Sequence, residues 1–554
     1  VAQDDGCVRE GILVSGLVLE GLCPLTVAEA LRRAVTVAPE VEAVVAPSGR
    51  ITFADLEREV TSIRAALLAA GVECGEHVGL LMGNGPRWVS IFLALGSVGA
   101  VTVPVNTRFQ AEEMAYALRQ SRVRRLFAAD RFLKIDFVAM LRGIIPGMDR
   151  ALPDAKLPDL QEVVVVGTDV PAGARSWEDF LSAGRGHDAP PRCEPGDVLL
   201  MQYTSGTTSF PKGVMLTHQS MCANAFFSGG RMGLRVADRF HSARPFFHVA
   251  GSTLSVLSCI QHVTTLVTMD RFEPAEALRL MEEERCTHFS GNDTMALMLL
   301  NHPDRAHRRL VLRGAWAAAS PTIVRRIIDE MGARDCVVGY GMSEASPNIS
   351  QSCWWEPEEV RISGHMRPQP GVEVRIRDLD TGEDLPPGGT GEILVRGWNV
   401  MQGYFDKPKE TAETLTFDGW LLTGDLGRLD EAGRLEFAGR AKDLVRVGGE
   451  NVSPAEVEDI LNRHPAIRQA VVVGVPDPRL MEVPCAFVIL NEGQSCEPEA
   501  LIAWSKENMA GFKVPRYVRV VEDFESIGMT ASSKIQKKQL AKHAIEVLGI
   551  KVPV

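Results

Sequence analysis

Asp197 to Phe226 reads DVLLMQYTSGTTSFPKGVMLTHQSMCANAF. Its first part, Asp197–Tyr203, is an apolar run suited to a buried strand, and Thr217 is a good N-cap for a helix carried through Phe226. Between them lies a loop of hydroxyls and glycine that ends on Lys212. Such a loop suits a polyphosphate: backbone N–H groups, the hydroxyls of Thr204, Ser205, Thr207 and Thr208, and the Lys212 ammonium can replace water around phosphate oxygens. The spacing is not that of a Walker A loop. The fifth and sixth residues after Gly206 are Pro211 and Lys212, where GxxxxGK[ST] needs Gly-Lys and then a hydroxyl, which disfavours a P-loop kinase or GTPase.

Outward from this stretch, helix and strand patterns alternate through most of the first 440 residues, which favours layered α/β structure over a bundle or a sandwich. A second short strand, Cys336–Tyr340, also runs into a polar turn, GMSEAS, so two loops are expected to converge on one crevice at strand ends. Thr26 and Glu29 form a capping box ahead of a helix over Val27–Val35. Ile91–Val105, the most apolar stretch, is shorter than a bilayer span and is interrupted by Gly96, Gly99 and Pro104; it predicts a buried helix and then a strand. Turn residues from Asp378 to Arg396 predict hairpins. After Gly439 the pattern restarts, with Ser453 as N-cap, Pro454 at N1 and Glu456 at N3 of a helix, then strands over Gln469–Val475 and Val483–Leu490. The expected domains are therefore 1–440 and 441–554.

The whole chain fits this size. Its 554 residues exceed one ordinary core, and 45% hydrophobic with 23% charged residues is a globular composition. Acidic residues number 71 against 59 basic ones, a net charge of −12 that argues against nucleic acid as the main partner. Eleven cysteines without a CxxC pair suggest neither a disulfide framework nor a zinc site. The first residues lack the basic start of a signal peptide, so a cytoplasmic protein without a transmembrane segment is expected.

Five further strings occur in order: PFFHVAG at Pro245–Gly251, YGMSE at Tyr340–Glu344, TGD at Thr423–Asp425, GRAKDLVRVGGENVSPAEVE at Gly439–Glu458 and SSK at Ser532–Lys534. With the phosphate loop, the set resembles the adenylate-forming superfamily of acyl-CoA synthetases, peptide-synthetase adenylation domains and luciferases, from about Leu25 to Leu540. The resemblance implies a large N-terminal α/β/α-layered adenylation domain and a small mobile α+β C-terminal domain. It also implies a carboxylic acid–CoA ligase that consumes ATP and coenzyme A, requires Mg²⁺, and passes through acyl-AMP. An acyl-AMP ligase loading a carrier protein and a degenerate nucleotide-binding member remain open beside it, and oligomeric state, a homodimer included, is not read.

The same resemblance assigns roles. Thr204, Ser205, Gly206, Thr207, Thr208 and Lys212 hold phosphates. Ala319, Ser320, Tyr340, Gly341, Met342 and Ser343 surround the nucleotide, with Tyr340 stacking on adenine. Asp425 and Arg440 grip the ribose, and Glu344 with Thr207 holds magnesium. Lys534 bridges the carboxylate and the α-phosphate in the first step. Lys442 is the hinge, and Gly448 and Gly449 let the pantetheine arm pass in the second step. His248 stands where amino-acid-activating members carry an aspartate, so the acid has an apolar or neutral body. His248, Gly291, Trp316, Ala317 and Gly339 line its pocket, for a medium-chain, branched or cyclic carboxylate. Ser209 and Ser533 replace glycines usual in the family, and Ser343 a common threonine. Lys537 and Lys538 read as a solvated basic helix face.

Overall fold

The computed structural model describes residues 19–187, 189–204, 211–448, 450–529 and 535–550. Among them, a 13-stranded sheet is built on a parallel block in the order Asp335–Gly341, Gly314–Ala318, His288–Asn292, Arg239–Ser242, Thr265–Val267 and Glu42–Ala46. The strands between Asn348 and Arg440, Gly403–Tyr404 excepted, extend it antiparallel beyond Asp335–Gly341. An 8-stranded sheet centres on the parallel strands Val198–Thr204, Val101–Pro104, His77–Leu81, Arg125–Ala129 and Glu162–Val166.

Two helices fill the space between these sheets, the first because its sequence leaves no polar face to give to water, the second because its polar side chains Asn224 and Arg231 are hydrogen-bonded inside the protein. In Pro86–Ser97 every residue from Trp88 to Ser97 is buried, as befits a helix that is apolar all round. Trp88 and Phe92 pack ring on ring at 5.0 Å, and each such buried aromatic is worth about 3 kcal/mol or more against truncation. His218–Met232 is the second; Thr217 caps it by accepting from the Ser220 N–H at 3.0 Å. The capping box predicted at Thr26 is present, and its helix runs Val27–Val37.

The stretch between the phosphate loop and that second helix is itself a strand. Lys212–Thr217 pairs antiparallel with Val198–Thr204, Thr204 opposite Lys212. The two strands that end in polar turns, Val198–Thr204 and Asp335–Gly341, lie in different sheets, so no single switch point joins their turns; side chains described below do so.

Beyond Arg440 a separate 5-stranded sheet forms, in which Ile467–Asp477 and Met481–Leu490 are long antiparallel partners and Tyr517–Val520 adds in parallel. The helix Pro454–Leu461 has proline at N1 as read, but Ser453 does not cap it. Its hydroxyl donates instead to the Ala438 carbonyl at 2.6 Å, because an acceptor on the neighbouring strand Leu435–Arg440 lies within reach. Lys537 is not merely solvated: its Nζ pairs with Glu458 at 2.6 Å. No helix among the described residues is long and apolar enough to cross a membrane.

Candidate active site

The YGMSE turn closes the strand Asp335–Gly341 and leads into a hairpin with Asn348–Gln351. Gly341 is required there, since a Cβ would stand 1.9 Å from the Pro347 carbonyl oxygen. The hairpin buries Tyr340, whose Oη donates to Asp425 Oδ2 at 2.9 Å while its ring stacks on Phe437 at 5.2 Å. Burial, and then the nearby Asp425 charge, push the Tyr340 phenol well above its ordinary pKa, so it stays a donor. Arg440 lies opposite Asp425 in the strand pair, its Nε 3.5 Å from Asp425 Oδ1. The Thr423 hydroxyl accepts the Asp425 N–H at 3.1 Å. The expected aromatic, carboxylate and guanidinium are thus brought together, with the phenol bonded to the carboxylate that the family resemblance assigns to ribose.

Glu344 sits in the short helical turn Ser343–Ala345 and is almost wholly buried. Its Oε1 accepts from the Tyr404 hydroxyl at 2.8 Å, and the Lys212 ammonium stands 4.1 Å from the Tyr404 ring centroid, a cation–π contact. Tyr404 reaches this place because Gly403–Tyr404 adds a short strand beside Lys212–Thr217, Val214 opposite Tyr404. Burial and the Glu344 charge raise the Tyr404 phenol, which keeps it a neutral donor. Sequence reading missed Tyr404. The available signal was an aromatic pair, Tyr404-Phe405, set between Gly403 and Asp406 in a chain with only five tyrosines.

Glu344 is a hard oxygen donor, which fits Mg²⁺, an ion held through one or two carboxylates with phosphate and water supplying the rest. No group of three or more His, Cys, Asp or Glu that could hold a metal occurs among the described residues. Ser205, Gly206, Thr207, Thr208, Gly449, Ser533 and Lys534 lie outside the described residues, as does Ser209.

Parallel pairing sets Gly291 opposite Ala317, and Ala317 opposite Val338 beside Gly339. Trp316, buried at 7% exposure, lies against Gly339, where a Cβ would meet its ring at 2.6 Å. Ala319 and Ser320 follow at the strand end, the Ser320 N–H donating to Asp293 Oδ1 at 2.9 Å. His248 opens a helical turn, its Nδ1 accepting from the Ala250 N–H at 3.2 Å, which places the proton of a neutral ring on Nε2. Asn84 holds the preceding loop: its amide donates to the Arg244 carbonyl at 3.0 Å, and its carbonyl accepts from the Phe246 N–H at 2.9 Å. Lys442 stands in the single helical turn Ala441–Asp443 between the last strand of the large sheet and the C-terminal sheet. Gly448 has φ +60°, a left-handed conformation that favours glycine irrespective of any ligand.

Comparison with known proteins supplies a family. Residues 31–405 match the family described as AMP-binding enzyme, and residues 456–534 match the AMP-binding enzyme C-terminal domain. A Mycobacterium tuberculosis 3-[(3aS,4S,7aS)-7a-methyl-1,5-dioxo-octahydro-1H-inden-4-yl]propanoyl:CoA ligase is 37% identical over 93% of this chain and 98% of its own. The mitochondrial medium-chain acyl-CoA ligase ACSF2 of Danio rerio is 34% identical over 97% of this chain and 91% of its own. Among solved structures, an anthranilate CoA ligase, AuaEII, in complex with anthranoyl-AMP superposes with a TM-score of 0.84 at 26% identity, covering 95% of this chain and 99% of that one.

Proposed function

The chain belongs to the AMP-binding enzyme family, and from that premise we propose how its residues divide the work. It is an ATP-dependent carboxylic acid–CoA ligase of the acyl-CoA synthetase type. In the first step a carboxylate oxygen attacks the α-phosphorus, the bond to the β-phosphate breaks and pyrophosphate leaves. In the second the thiol sulfur of coenzyme A attacks the acyl carbon, the bond to the phosphate oxygen breaks and AMP leaves.

The observation that carries the assignment of roles is the chain Lys212–Tyr404–Glu344. It ties the strand leaving the phosphate loop to the YGMSE turn, and so holds a cation for phosphate oxygens and a carboxylate for a metal in one place. Bound Mg²⁺ would neutralise charge on the phosphates. Tyr340, Gly341, Met342 and Ser343 would flank the nucleotide with Ala319 and Ser320. Asp425, oriented by Tyr340, Thr423 and Arg440, would take the ribose hydroxyls. Thr204 and the loop residues to Thr208 would add phosphate donors. Lys534 would stabilise the charge gathering between carboxylate and α-phosphate. Lys442 would be the pivot for a C-terminal domain beginning at residue 441, and Gly448 and Gly449 the passage for pantetheine. His248, with Nε2 as its donor, would wall the reacting carboxylate.

For the acid, a cyclic or branched body fits better than a long straight chain, because Trp316 lies across Gly339 and fills depth that a chain would need. The relative acting on a bicyclic propanoyl substrate supports the same choice. A cytoplasmic setting agrees with the ten described cysteines, all free. Pyrophosphate release measured over a panel of carboxylic acids with ATP and Mg²⁺, with and without CoA, tests the reading. Turnover that depends on CoA and yields a thioester is expected. Release that stops after one equivalent with CoA inert would make a carrier protein the acceptor.

A further inference from the structure

Arg244 stands four residues before His248, in SARPFFH. Arginine is almost never fully buried unless paired, yet Arg244 is only 9% exposed. Among the described residues no carboxylate pairs with it and no group accepts a hydrogen bond from it, and its Nη1 is sealed from solvent. Its guanidinium carbon stands 4.1 Å from the Trp316 ring centroid. A cation over an indole face is attracted to it, but a ring face accepts nothing from the N–H groups in the guanidinium plane. Trp316 Nε1 is a second buried donor without an acceptor.

Neither group can easily turn away. The two Asn84 hydrogen bonds fix the backbone around Arg244, and Phe246 packs on Trp88 at 5.3 Å. Trp316 is pressed against Gly339. Burial lowers the Arg244 pKa to about 9, which leaves it charged near neutrality. A buried cation without a counter-charge calls for oxygen lone pairs, and the Trp316 ring on which it lies stands in the wall assigned above to the acid.

We propose that Arg244 is a specificity-determining residue that, through a guanidinium nitrogen other than the sealed Nη1, receives an acceptor oxygen on the body of the acid, a ring carbonyl or a second carboxylate, remote from the carboxyl that is activated. The proposal rests on the ligase reading and narrows its substrate class to oxygenated acids.

The test uses the full chain with ATP, Mg²⁺ and CoA and three matched acids: 3-cyclohexylpropanoate, its 4-oxo derivative and its 4-carboxy derivative. The unaltered enzyme should favour at least one oxygenated acid over the plain one by about tenfold or more in kcat/KM, the scale on which a site with buried donors rejects a ligand lacking the acceptor. Arg244→Met, which keeps an unbranched stem, should abolish that preference while leaving the plain acid within about threefold. The derivative that loses more identifies the oxygen as carbonyl or carboxylate. Equal loss on all three acids, or preference of the unaltered enzyme for the plain acid, would overturn the proposal. If no acid yields a thioester, the ligase reading fails separately. Calorimetric binding of the three acids to both proteins then still decides: oxygen-dependent binding lost in Arg244→Met supports the assignment, and equal binding refutes it.

Discussion

The nucleotide side and the acyl side of the site are built on opposite plans. On the first, polar groups already meet each other: Tyr340 bonds Asp425, Arg440 faces it, Tyr404 bonds Glu344 and Lys212 lies on Tyr404. On the second, Arg244 Nη1 and Trp316 Nε1 have no partner among the described residues. A cosubstrate that is the same in every turnover can be met by a network fixed in advance, which costs no reorganisation when charge develops. Groups that recognise a particular acid keep their donors for it, and the fold carries the cost of burying them.

The largest effect should come from groups that act on the reacting atoms. Lys534→Ala should lower pyrophosphate release from acid and ATP by about 10²- to 10³-fold, the range for removing one donor to a developing anion. It should largely spare thioester formation from preformed acyl-AMP. Equal loss in the two half-reactions would break the assignment of Lys534 to the first step.

A buried imidazole without a partner, outside both halves, predicts a loss of stability in acid. His241 is buried without a partner and burial holds its pKa near 4, below the ordinary value near 6.5. A base depressed in the folded state contributes stability that is present above the unfolded pKa and lost as pH falls toward the folded one. Between pH 6.5 and 4 the unfolded chain binds a proton that the native ring does not, so each unit of pH costs about 1.4 kcal/mol. His241→Leu should therefore reduce the stability lost between pH 8 and pH 5 by about 2 kcal/mol, read from denaturant unfolding at both pH values. An unchanged difference would mean that the ring is already satisfied. His218, His262 and His288 are depressed by burial in the same sense, so a steep decline remains in the variant.

Tyr404→Phe sharpens the nucleotide half of the comparison. It keeps the ring beneath Lys212 and removes the hydroxyl that orients Glu344. A hydrogen bond to a charged group is worth about 1.5–3 kcal/mol, so adenylation should slow by about tenfold or more, with a matching rise in the Mg²⁺ needed for half-maximal rate. Unaltered Mg²⁺ dependence would show that Tyr404 only fills space.

How much of this was legible follows from range. The capping box at Thr26 and the N-cap at Thr217 lie within four residues and could be read directly, as could the buried helix near Ile91, whose apolar residues leave no other place for it. Tyr340, Glu344, Asp425 and Arg440 were legible as motif positions, but the bond from Tyr340 to Asp425 spans 85 residues and no spacing announces it. Tyr404 escaped because its position depends on a two-residue strand pairing with one about 190 residues earlier. Arg244 escaped because an arginine beside a loop motif reads as solvated, and only burial makes it unusual. Ser453 was misread because a hydroxyl with a carbonyl at 2.6 Å across an interface leaves its local capping role.

The smallest effect should come from the contact between the C-terminal region and the rest. The Thr322 hydroxyl, in the helix that follows Ser320, donates to Asp459 Oδ1 at 3.1 Å, next to the Lys537–Glu458 pair. Glu458 and Asp459 lie on the helix Pro454–Leu461, so this bond crosses from the large sheet's side of the chain to the small one's. A partly exposed neutral-to-charged hydrogen bond contributes about 1 kcal/mol, enough to shift an equilibrium between two arrangements about fivefold. Thr322→Val removes the hydroxyl at nearly constant shape. If the arrangement described here serves adenylation, pyrophosphate release should slow by up to about fivefold while thioester formation from acyl-AMP holds or quickens. The opposite split would assign this arrangement to the thiol step, and indifference in both would show that the contact biases neither.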